Sequence, residues 1–153
     1  MTGGPPGTGL LVVRTGSIGD TVTTLPVFAM LARVFPQVER RVLTNFPINR
    51  DAAPLRSVLG DSGLVDGYFA YPAGTRSPGD ILTLRRKIMA WRPNRTVYLN
   101  EPRSLAATAR DIVFLRWCGI GNIAGLPLHR DFRRHRQNAD NGLWESESAR
   151  LAR

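Results

Sequence analysis

The sequence predicts a doubly wound α/β fold: a Rossmann-like parallel sheet with helices on both faces. Three observations predict it. Apolar runs of strand length recur along the chain, and a run without polar alternation marks a strand buried on both faces. Between these runs lie segments with apolar positions at helical spacing. Glycine and proline stand at the joints. Strands separated by helical segments of roughly 10–15 residues pair in parallel, with the helices packed on the sheet.

Taken in order, Leu10–Arg14 (LLVVR) is the first strand. Gly16 and Gly19 break it, and Val22, Leu25, Phe28, Ala32 and Phe35 follow at helical spacing up to Pro36. Pro26 falls within that helix, so a kink or a late start is expected there. Arg41–Thr44 reads as the second strand, and Ala52–Leu59 as a short helix stopped by Gly60. Gly67–Tyr71 is the third strand, and Pro78–Trp91 an amphipathic helix closed by Pro93. Thr96–Leu99 is the fourth strand, Arg103–Trp117 the fourth helix, and Asn122–Leu126 the fifth strand.

Residues 1–9 are too rich in Gly and Pro to order themselves and are expected to form a tail. Residues 10–128 make the Rossmann-like domain. Residues 129–153 read as a polar, basic linker followed by a helix, Leu143–Arg153, that opens a second domain lying beyond this sequence.

Composition narrows the function classes. Hydrophobic residues make up 42% and charged residues 22%, ordinary values for a folded domain. The apolar runs are far shorter than the roughly 18–20 residues of a membrane span. The start of the chain has neither the basic nor the apolar region of a secretory signal. A cytoplasmic protein is expected, with peripheral contact at the inner membrane face left open by the charge. The single Cys118 has no disulfide partner and no metal-site spacing, and is expected to be a small buried residue beside Trp117. The net charge is +9, yet all basic residues but Lys87 are arginine, and they are spread over the whole length. That argues against a nucleic-acid interface, which gathers its basic residues in a patch. Attraction to an anionic small molecule or an anionic membrane fits the charge equally well.

Gly4–Gly9 (GPPGTG) resembles the opening of a phosphate-binding P-loop, but Leu10 and Leu11 stand where that motif needs Lys and Ser or Thr. The informative loop is Thr15–Asp20 (TGSIGD), at the carboxyl end of the first strand, where open α/β sheets place their ligands. Gly16 and Gly19 permit a tight turn and close approach to a ligand. The N–H groups at the start of the next helix favour an anion. A dinucleotide fingerprint would need a third glycine where Asp20 stands, and a carboxylate there repels a pyrophosphate, so NAD is disfavoured. Read from the residues alone, Asp20 is either a helix N-cap or a general base.

The run LLVVRTGSIGDTVTTLPVFAMLARVFP (10–36) resembles the N-terminus of glycosyltransferase family 9, the ADP-heptose:lipopolysaccharide heptosyltransferases and their relatives. Further stretches at 41–44, 63–72, 110–127 and 143–153 agree in order and spacing. The resemblance implies the N-terminal, acceptor-binding half of a GT-B fold. It implies metal-independent, inverting transfer from a nucleotide sugar such as ADP-heptose to an anionic or lipid-linked saccharide, with Asp20 as the base. No cofactor is expected, and no Asp-x-Asp pair occurs that would suit a metal-dependent transferase. The donor nucleotide would be gripped by the second domain, so the 153-residue chain is expected to show no transfer on its own.

Around the base, Gly16, Ser17, Gly19 and Thr21 are the expected substrate-binding loop. Arg14 either holds an acceptor phosphate or carboxylate or reaches solvent from the strand end. Arg103 and Arg110 are spaced to share one helix face near the fourth strand, to bind an anionic sugar or simply to be solvated. Asn100 and Glu101 sit at that strand's carboxyl end. His129 and His135 lack ligand spacing. Two alternative readings are a nucleotide-binding Rossmann domain and a non-catalytic binding module.

Overall fold

The computed structural model describes residues 9–16, 18–46, 56–72, 74, 77–101, 104–128, 135–138 and 142–152, and only the backbone of Ile18, Asp20 and Phe46. Five strands, β1 (Leu10–Val13), β2 (Arg40–Phe46), β3 (Gly67–Pro72), β4 (Arg95–Tyr98) and β5 (Ile123–Ala124), form one sheet in the order β3-β2-β1-β4-β5. Every pairing is parallel. Five helices are described: α1 (Ile18–Val34), α2 (Arg56–Leu59), α3 (Pro78–Trp91), α4 (Leu105–Trp117) and α5 (Glu147–Ala152). The fold is Rossmann-like, as the sequence predicts.

The sheet is buried on both faces because its central strand is apolar throughout. Successive side chains point to opposite faces. Leu10 and Val12 therefore join one core, with Val27, Phe28 and Leu31 of α1 and Leu59 of α2. Leu11 and Val13 join the other, with Leu84 and Ile88 of α3 and Leu115 of α4. The chain steps outward from β1 to β3 and then returns across β1 to β4. Right-handed crossovers place helices on opposite faces when the direction reverses in this way.

Helix boundaries follow local chemistry. At α3, Ser77 caps the Asp80 N–H, Pro78 occupies the first turn, and Arg92 closes the helix in a left-handed conformation (φ 53°) before Pro93. Ser104 caps α4 by accepting from the Ala107 N–H. The late start expected at Pro26 does not occur: α1 begins at Ile18 and carries Pro26 inside it. Pro26 is exposed, so the carbonyl it leaves without a donor can be served by water. The fourth helix begins at Leu105, behind its Ser104 cap, and not at Arg103. The strand expected over 122–126 is only Ile123–Ala124. Gly125 turns away at φ +75°, where a Cβ would meet the Tyr98 carbonyl at 2.8 Å. Residues 52–55 of the expected second helix and the tail at 1–8 lie outside the described residues.

The end of the segment read as a polar, basic linker pairs with the start of the expected last helix. Gln137 and Trp144 form an antiparallel bridge, and the Asn138 N–H donates to the Leu143 carbonyl at 2.9 Å. Leu143 and Trp144 thus belong to this turn, exposed, and the last helix starts only at Glu147. That helix packs against α1, where the Ser148 hydroxyl donates to the Thr23 carbonyl. Its Leu151 reaches the first core. Cys118 is buried in the second core, and burial pushes its thiol up to about 11.

At the amino end of the sheet, Glu39 accepts from Trp91 Nε1 (2.9 Å) and Arg41 Nε (2.8 Å). The Arg41 guanidinium lies 4.9 Å from the Trp91 ring centre. Burial raises the Glu39 pKa, but these two hydrogen bonds and the Arg41 charge outweigh it, and the net shift is downward. A carboxylate with a depressed folded pKa stabilises the fold above its unfolded value, and that stability is lost as pH falls through the folded one. Urea denaturation should therefore show stability falling below about pH 4.5, with a shallower fall for Glu39→Gln. In the same assay Ile88→Ala should cost about 2–5 kcal/mol. Val113→Ala, on the exposed side of α4, should stay within about 0.5 kcal/mol.

Candidate functional site at the carboxyl end of the sheet

β1 lies between β2 and β4, the strands that the chain reaches in opposite directions, so its carboxyl end is the topological switch point of the sheet. Backbone that leaves a buried strand carries N–H groups that must be satisfied. Two asparagines serve them here. Asn100, just after β4, accepts from the Thr15 N–H at 2.6 Å and the Thr15 hydroxyl at 3.2 Å through Oδ1. Asn45, within β2, accepts from the Gly16 N–H at 2.9 Å. Because an N–H must face an oxygen, these bonds fix both carboxamide orientations. Asn100 is 2% exposed, and its Nδ2 meets no hydrogen-bond partner among the described residues.

Arg14 does not reach solvent. It is 1% exposed and donates from its guanidinium to the Leu99 carbonyl at 2.9 Å. The strand-end arginine is thus a buried brace between β1 and the end of β4. Gly16 has φ +139°, a conformation open to glycine and costly for other residues. Gly19, expected to serve the turn, instead lies within the first turn of α1. Asp20 is the third residue of α1, inside the helix and not at its N-cap. Thr21 is buried, and its carbonyl accepts from the Thr24 hydroxyl at 2.7 Å. The structure therefore brings Arg14, Gly16, Gly19, Asp20 and Thr21 to one strand end and one helix turn. Ser17, Arg103 and His129 lie outside the described residues.

Beside this loop opens a cleft of about 310 Å³ between the carboxyl halves of β1–β3 and the helices α3 and α4. Val13, Leu43, Leu84 and Leu115 give it an apolar floor, and Tyr71 and Phe114 border it. Thr15 and Asn45 connect it to the loop, while Asp80, Arg110 and Asp111 add charge from the two helices. Asp111 is held in place: it accepts from the Tyr98 hydroxyl at 2.9 Å and pairs with Arg110 at 3.0 Å. Sequence reading placed Asn100 at the right end of its strand but missed Asn45, Asp80 and Asp111. Asn45 is visible in retrospect as the polar residue directly after the expected second strand, Arg41–Thr44. The two aspartates look like ordinary helix-surface acids until the fold sets α3 beside α4.

Among the described residues, no group of three or more His, Cys, Asp or Glu is placed to hold a metal ion. No described helix is long and apolar enough to cross a membrane. No known protein family, curated protein or solved structure matches the chain.

Asn100→Leu should remove the Asn100 Oδ1 acceptor of the buried Thr15 N–H, at a cost of about 1–3 kcal/mol. The check is urea denaturation together with hydrogen exchange: the Thr15 amide should exchange faster in the variant while amides in α3 keep their relative protection. An unchanged Thr15 rate would show that Asn100 does not hold this loop.

Proposed function

We propose that the chain is the acceptor-holding half of a metal-independent, inverting glycosyltransferase of the heptosyltransferase type. The observation that carries this reading is the position of Asp20 in the first turn of α1, directly after the loop at the switch point. The positive end of a helix favours an ionised carboxylate, and an ionised carboxylate at neutral pH is what a general base requires. The sequence resemblance assigns the same residue the same role.

In the proposed reaction, a hydroxyl of a saccharide acceptor lies against the loop and attacks the anomeric carbon of a nucleotide sugar. Asp20 takes the hydroxyl proton as the new C–O bond forms. The bond to the nucleotide's phosphate oxygen breaks on the opposite face, the nucleoside diphosphate leaves with that electron pair, and the anomeric centre inverts. Gly16 keeps the approach to the loop free of side-chain bulk. Arg14, Asn45 and Asn100 hold the strand ends so that the first turn of α1 keeps its place relative to the acceptor. The donor's nucleotide would be held by a second domain facing the same sheet end.

A dinucleotide domain is the competing reading, and the two bind different molecules. Calorimetric titration with a delipidated lipopolysaccharide core oligosaccharide should show saturable binding, while NAD should give no heat of binding. NAD binding without saccharide binding would overturn the proposal.

A further inference from the structure

A helix packed on a sheet ordinarily turns a polar side to water. The helix α4 does not. Its exposed residues are five apolar ones and two arginines, with no acid among them. Val113 and Trp117, one turn apart, are 67% and 49% exposed. The helix α3 lies alongside: Arg85 Nε donates to the Trp117 carbonyl at 2.9 Å, and its guanidinium sits 4.7 Å from the centre of the Trp117 ring. Just beyond Arg85, α3 exposes Arg86, Lys87 and Met89, and no acid pairs with Arg86 or Lys87 among the described residues. The basic residues are spread along the sequence, yet the fold distributes them unevenly. Five lie on α3 and α4 against two acids, whereas α1 and α5, on the other face of the sheet, carry one residue of each sign apiece.

We propose that the outer face of α3 and α4 lies on an anionic lipid surface, with α4 parallel to it. Val113 and Trp117 enter the boundary between headgroups and acyl chains, where an indole ring is favoured. Arg86 and Lys87 meet the lipid phosphates, and the long stems of the basic side chains lie along the apolar ones. Other occupants fit this face less well. A second copy docked face to face would bring the same basic residues together, and like charges oppose that. A nucleic acid matches the charge but leaves Val113 and Met89 unused. It would also meet a Trp117 ring already covered by Arg85, where a base would have to stack. The inference stands apart from the role proposed for Asp20.

The test is sedimentation of the whole chain with vesicles of phosphatidylglycerol and phosphatidylcholine in equal parts, and with vesicles of phosphatidylcholine alone. The chain should bind the anionic vesicles, more weakly as salt rises, and leave the neutral ones. Arg86→Gln combined with Lys87→Gln should weaken binding about thirtyfold, the loss expected for two basic residues at a charged membrane. Arg33→Gln combined with Arg56→Gln removes the same charge from exposed positions on the other face and should weaken it only slightly. Val113→Ser should weaken it several-fold through lost apolar burial. All these variants should keep the parent's melting temperature. Equal losses from the two charge pairs, or Val113→Ser binding as the parent does, would overturn the inference, because net charge alone would then account for the attraction. Failure to bind the anionic vesicles would overturn it too. An oligonucleotide bound instead, and released by the Arg86 and Lys87 changes, would mark the face as a nucleic-acid site. Saccharide binding is read separately by calorimetry, so this inference and the glycosyltransferase reading can each fail alone.

Discussion

The molecule depends on how it satisfies the backbone where β1 leaves the sheet. The strand is buried on both faces and its neighbours run alongside it, so water cannot serve the N–H of buried Thr15, and Asn100 accepts from it instead. Asn45 accepts from the N–H of the exposed Gly16 that follows. Arg14 adds a charged brace to the Leu99 carbonyl. A buried guanidinium is costly unless it is hydrogen-bonded, so its presence fixes β1 against the end of β4. The same contacts aim the loop and the start of α1 at the crevice between the two halves of the sheet. Packing and site geometry are therefore set by one small group of residues.

Much of the fold was legible in the sequence because the signals were local. The unbroken apolar run of β1 announced a doubly buried strand. Pro78–Trp91 was delimited by an early Pro at one end and Pro93 beyond the other, and its boundaries came out unchanged. The errors arose where tertiary context decided. Pro26 suggests a kink or a late start from the sequence, but it lies on the solvent-facing side of a helix that buries its other side, and the helix begins at Ile18. Leu143 and Trp144 have helical spacing with the residues that follow, but pairing across to Gln137 holds them in a turn.

The site was legible in part. The position of the loop and the need for glycine at Gly16 follow from strand, turn and helix signals alone. Arg14 reads from the sequence as either an anion-holding or a solvent-reaching residue, because nothing there shows that the Leu99 carbonyl, 85 residues away, accepts from it. The placement of Asp80 and Asp111 on one cleft, and the hydrogen bond of Gly16 to Asn45, are likewise products of topology: these residues are distant in the chain and come together only after the sheet has formed.

The central claim is that a saccharide hydroxyl lies at Asp20 over the carboxyl end of β1, and a crystal structure of the chain grown with the core oligosaccharide tests it most directly. The account predicts a sugar across the ends of β1–β3, one hydroxyl about 2.6–3.2 Å from an Asp20 carboxylate oxygen, the reach a general base needs. A saccharide bound at another face, with the loop at Thr15–Asp20 untouched, would contradict it.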